Sequence, residues 1–132
     1  MANEITFSKS YKAALQGGLV AAGVNIAWLY ILEFSIGISE LPKGFPVAVV
    51  ISSIIPLLAG ASLYVILCKN FLKGEMLFLL LSVGFTIFSL FPSFQTTLPD
   101  GHLAPQNFAL LTVPMHFFAA VIGLYFLLKK QH

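Results

Sequence analysis

The stretch PVAVVISSIIPLLAGASLYVILC, residues 46–68, runs for 23 residues without Lys, Arg, Asp, Glu or His before it meets Lys69. As a helix rising about 1.5 Å per residue it reaches about 35 Å, enough to cross a hydrocarbon layer of about 30 Å. Pro46 suits its first turn, where a missing N–H costs nothing. Lys69 at the other end suits the water interface, because its long stem lets the ammonium reach the surface.

Three further stretches read the same way: Ala13–Phe34, Glu75–Phe94 and Phe108–Leu128. Lys73-Gly74 separates the second span from the third. Pro92 suits an exit from the third, and Pro99, Asp100, Gly101 and Pro105 make the loop that follows. The first stretch follows Lys9 and Lys12, as in a signal peptide. It is longer than the roughly 7–15 apolar residues of a signal core and lacks a small-x-small cleavage site, so it reads as a retained span. The expectation is an all-α, polytopic membrane protein of four spans, with residues 1–132 as one transmembrane domain.

Composition agrees. Charged residues are 9% of 132, apolar residues 58%, and mean hydropathy is +0.94. A soluble domain carries about 25% charged residues. Too little charge remains to cover a water-facing surface, to sustain disorder, or to track nucleic-acid phosphates. The chain has no arginine. Cys68, the single cysteine, excludes an intrachain disulfide and reads as a small apolar residue.

Lysines set the direction. Lys9, Lys12, Lys69, Lys73, Lys129 and Lys130 fall on one side of an even number of spans, and Lys43 falls on the other with Glu33, Glu40, Asp100 and His102. The positive-inside rule then places both termini in the cytoplasm. An antiparallel four-helix bundle follows, because the loops are too short to part sequence neighbours. In lipid, small residues must supply the helix contacts. Ala14, Gly17, Gly18, Ala21, Ala22 and Asn25 mark the inward face of the first span. Ala59, Gly60 and Ala61 mark that of the second, and Ala119 and Gly123 that of the fourth. The phenylalanines are expected at the lipid, with Trp28 and Tyr30 in the outer aromatic belt and Tyr11 and Tyr125 in the inner one.

A polar level is the informative feature. Asn25 lies 13 residues beyond Lys12, Pro56 lies 13 before Lys69, Thr86 lies 13 beyond Lys73, and His116 lies 13 before Lys129. Each position is about 20 Å from an inner lysine, near the bilayer centre. Ser52 and Ser89 lie slightly further out. Pro56 removes the N–H that would pair with the Ser52 carbonyl, and Pro114 does the same for Leu110. Polar groups at that depth are costly unless paired.

Two readings of this level are open. In the first, Asn25, Thr86, Ser89 and His116 bond one another across the bundle as glue, worth about 0.6–2 kcal/mol each. In the second, Asn25, Ser52, Pro56, Thr86, Ser89 and His116 line a polar pocket that binds a ligand or relays a proton. Asn25 and His116 are expected to meet directly or through a water. No metal site is expected, since the span histidine His116 has no Asp, Glu or Cys near its depth. No cofactor is expected and no catalytic residue is assigned. Asp100 reads as a turn residue, and no phosphate loop, HExxH or nucleophile elbow is present.

Several of these residues carry a resemblance. Gly23-Val-Asn25-Ile-Ala, Pro56-Leu-Leu-Ala-Gly60-Ala-Ser-Leu-Tyr, Ser89-Leu-Phe-Pro92 and Met115-His116-Phe-Phe-Ala119-Ala resemble a family of small bacterial four-helix membrane proteins catalogued as a domain of unknown function. That family pattern is richer in Ala and Arg, where this chain has Phe, Ile and Lys. The resemblance implies an integral protein of the bacterial inner membrane and supplies no reaction.

Three functions compete. The first is a non-enzymatic bundle that binds an apolar ligand or a partner. The second is a transporter or proton-linked carrier subunit with its site at His116 and Asn25. The third is a membrane enzyme using His116 on a lipid or quinone. The expected partners are the lipid bilayer and a second copy or another membrane protein, with no nucleic acid. A closed, dry bundle favours the first function, and a mid-membrane cavity open to one side favours the second. A cleft open to lipid beside His116 favours the third.

Overall fold

The computed structural model describes residues 4–38 and 41–129. Glu40 and Lys130, both used in the orientation argument, lie outside the described residues. Four long helices form: α1 (Phe7–Ile36), α2 (Phe45–Asn70), α3 (Gly74–Ser89) and α4 (Phe108–Lys129), with a 3-10 turn at Phe91–Phe94. Each is long and apolar enough to cross a membrane, the third when counted through Phe94. Among the described residues there is no β-strand, only an isolated bridge between Thr97 and Leu103.

The helix ends differ from the apolar runs for local reasons. α1 begins six residues before Ala13, where the Thr6 hydroxyl accepts from the Lys9 N–H at 3.3 Å. Lys9 and Lys12 therefore stay inside the helix. α3 stops at Ser89, because Pro92 favours the tighter 3-10 turn that follows. Both Pro56 and Pro114 lie inside continuous helices.

α1 is the hub, packing along both α2 and α4, while α2 and α4 touch little. Its small-residue face is buried as expected, from Ala13 and Ala14 through Gly17, Gly18, Ala21 and Ala22 to Asn25. A Cβ on Gly18 would lie 3.1 Å from the Ile54 Cα of α2, and one on Gly17 would lie 3.1 Å from the Phe126 Cβ of α4. A Cβ on Gly123 would run into the Leu57 side chain of α2. Such close approaches are what small residues permit in lipid. Of the expected α2 face, Ala61 is buried, Gly60 is half-buried and Ala59 is exposed.

α3 stands apart. It leans on α2 through Phe78, whose ring sits edge-on to Tyr64 with centroids 5.0 Å apart, and it meets α4 only slightly. Gly74 and Phe78 are its buried residues. Gly74 starts α3 directly against the Leu67 carbonyl of α2, where no side chain fits. The four helices therefore do not close tightly between α3 and α4.

Two aromatic side chains of α1 reach neighbouring helices. Trp28 is half-buried. Its Nε1–H donates to the Leu111 carbonyl at 3.2 Å, and its ring meets Phe118 edge-on at 6.0 Å. Tyr11 reaches α2, where its hydroxyl lies 2.6 Å from the Ser62 Oγ. The loop after α3 is ordered by a turn at Leu98–Gly101, with Gly101 at φ +85°. The His102 N–H donates to Asp100 Oδ1 at 3.1 Å, and this bond, with the nearby imidazole, holds the Asp100 carboxyl below its ordinary range.

Candidate functional site

The gap between α3 and α4 is a cleft of about 730 Å³ bounded by α2, α3 and α4. Its walls are largely apolar, from Leu57, Leu63, Phe78, Leu81, Phe85 and Leu124. Toward one end it is lined by Ser52, Ser53, Thr86, Ser89 and His116. A smaller cavity of about 220 Å³, lined by Asn25, Val49, Thr112 and Met115, meets the cleft at Ser52, Ser53, His116 and Ala119. No Asp, Glu or Lys lines either space.

All six residues singled out from the sequence line these spaces. Asn25 lines the small cavity, Pro56, Thr86 and Ser89 line the cleft, and Ser52 and His116 line both. Counting from the lysines thus brings together residues on four different helices.

Their hydrogen bonds are not those expected. Asn25 Nδ2–H donates to Ser53 Oγ at 3.0 Å, linking α1 to α2. His116 Nδ1–H donates to the Thr112 carbonyl, one turn back on α4, at 2.8 Å. The two side chains therefore face one cavity without bonding each other. Thr86 donates to the Ser82 carbonyl at 2.7 Å, and Ser89 donates to the Thr86 carbonyl at 2.7 Å. Ser52 and Ser53 both donate to the Val49 carbonyl, at 3.1 and 2.7 Å. A helix always offers a hydroxyl the carbonyl three or four residues back, and that local bond displaces the expected glue across the bundle.

Two atoms are left over. Asn25 Oδ1 is buried with no partner, although the residue is only 3% exposed. Such an orphan in an apolar interior costs about 1–3 kcal/mol. His116 Nε2 has no hydrogen-bond partner among the described residues. With Nδ1 committed as donor, Nε2 of the neutral ring is an acceptor.

Sequence reading missed Ser53 and Thr112. Ser53 is 2% exposed and holds Asn25, and Thr112 supplies the carbonyl that orients His116. A Thr-x-x-x-His spacing on an apolar helix was the available signal for the second. No group of three or more metal-ligating side chains occurs among the described residues. Comparison with protein-family models, with curated proteins and with solved structures gives no match to this chain.

Proposed function

We propose that this protein is an integral membrane protein that binds an apolar ligand in the cleft between α2, α3 and α4. The observation that carries this reading is a cleft of about 730 Å³ where α3 stands off from the core that α1 forms with α2 and α4. That volume falls in the range of small-molecule sites, about 300–1,000 Å³. Apolar walls with a few polar groups at one end suit an amphiphile drawn from the surrounding bilayer. The test is labelling with a photoactivatable long-chain hydrocarbon that lacks a polar head, followed by peptide mapping. Saturable labelling should concentrate on Gly60, Phe85 and Ala120. Labelling spread evenly over the exposed face of α1, at Leu15, Leu19 and Ile31, would overturn the reading.

The topology proposed with it is an up-down-up-down bundle with both termini in the cytoplasm of a bacterial inner membrane. Contacts that run in opposite sequence order support the antiparallel part. Tyr11, Gly18 and Asn25 meet Ser62, Ile54 and Ser53, while Gly17 and Trp28 meet Phe126 and Leu111. The lysine distribution supports the direction. A periplasm-active reporter fused after Gly101 should be active and one fused after Gln131 silent. The reverse pattern would contradict the orientation.

The unpartnered Nε2 beside the cleft favours a second reading, a proton-linked carrier or an enzyme acting on a lipid or quinone through His116. It stands second because no carboxylate lines the site to support acid–base work.

A further inference from the structure

With the cleft binding a ligand as proposed above, its polar end is what meets the head group. The hydroxyl hydrogens of Ser52, Ser53, Thr86, Ser89 and Thr112 are all given to backbone carbonyls of their own helices. His116 Nδ1–H is given to the Thr112 carbonyl. What remains along these walls is electron-rich: hydroxyl lone pairs, the His116 Nε2, which accepts when the ring donates through Nδ1 alone, and the buried, unpartnered Oδ1 of Asn25. Pro56 adds the Ser52 carbonyl by deleting its helical partner. Two donors are left, the Ser82 hydroxyl one turn along α3 and the second amide hydrogen of Asn25 in the small cavity.

We infer that the site selects a ligand whose head donates a hydrogen bond, a hydroxyl group on an apolar body, against ligands whose heads can only accept. A hydroxyl would give its hydrogen to His116 Nε2 where Ser52, Thr86 and Ser89 add further acceptors. An ether, ester or ketone head would set acceptor against acceptor and leave all of them unpaired. No carboxylate lines the site, so a strongly hydrated ammonium would lose its water without a counter-charge. An alcohol loses far less on leaving water and fits best. In a water-poor site, one satisfied acceptor against one left bare is worth roughly tenfold in affinity.

The experiment is competition against the photoactivatable hydrocarbon in purified protein, using a long-chain primary alcohol and the methyl ether of that alcohol. Their apolar bodies match, so the difference reads the head alone. The alcohol should displace the probe at roughly tenfold lower concentration than the ether. His116→Leu should reduce that ratio toward one while hydrocarbon labelling of the cleft persists. Equal displacement by both, or tighter binding of the ether, would overturn the inference and leave the cleft reading standing. Failure of the hydrocarbon itself to label the cleft would overturn the cleft reading, and this inference with it. Should His116→Leu not fold, the alcohol-to-ether ratio in the parent protein decides the matter alone.

Discussion

Gly18→Leu is expected to destabilise the protein by about 1–3 kcal/mol, the usual cost of overpacking a tight contact. The reason is geometric. A Cβ at this position would already lie 3.1 Å from the Cα of Ile54, so the obstacle is the α2 backbone rather than a side chain able to rotate away. Leucine must push α2 outward along the line that also carries the Asn25–Ser53 bond at 3.0 Å and the Tyr11–Ser62 bond at 2.6 Å. Gly23→Leu is the matched control, since nothing lies within 4 Å of a Cβ there. It should be neutral or slightly stabilising, because leucine favours a helix over glycine by roughly 0.5–1 kcal/mol. Thermal unfolding in detergent, followed by helical circular dichroism, separates the two. Equal melting of Gly18→Leu and the parent would place this face of α1 toward lipid.

Asn25→Asp is expected to be more damaging than Asn25→Leu, although aspartate is the closer shape. Asn25 is 97% buried by its 3% exposure, and no cation lines its cavity. A carboxylate at such a depth costs about 2.5–3.5 kcal/mol, or takes up a proton to avoid that cost. It also loses the amide N–H that holds Ser53. Leucine loses the same bond, worth about 0.6 kcal/mol in a membrane interior, but it removes the orphaned Oδ1 as well. Relief of the orphan outweighs the lost bond, so Asn25→Leu should melt at or above the parent at neutral pH. Asn25→Asp should melt well below it and recover part of the loss on acidification, as the carboxyl protonates. Similar melting of both variants would mean that Asn25 is solvated.

The four helices were legible because length and apolarity alone decide a span. Their ends were less legible: Lys9 and Lys12 mark an interface yet lie inside α1, since a lysine can reach water from within a helix. The small-residue face of α1 was legible, because in lipid only small residues let backbones approach. The stand-off of α3 was not. Its Leu- and Phe-rich surface suits lipid and protein alike, so no stripe told which side would be covered, and it is held at its start, by Gly74 against Leu67 and Phe78 against Tyr64 of α2.

The candidate site divides the same way. Counting from the lysines gathered residues of one level: Asn25, Ser52, Pro56, Thr86, Ser89 and His116 all line two adjoining spaces. Pairing was not readable. Asn25 had inward neighbours on both α2 and α4, and nothing in the sequence chose Ser53 over His116. Thr86 and Ser89 had carbonyls of their own helix within reach, and these local bonds form first. Hydroxyls turned toward their own helix leave a cleft open where glue would have closed it.

The most direct test of ligand binding is native mass spectrometry of the parent protein and of Gly84→Phe, both purified from their own membrane. Gly84 lines the cleft, and nothing lies within 4 Å of a Cβ built there, so a phenylalanine ring fills the space without forcing the helices apart. The parent should retain an apolar, hydroxyl-bearing molecule through gentle activation. Gly84→Phe, melting no lower than the parent, should fly without it. Identical bound masses in the two proteins, or a bare parent, would contradict the account.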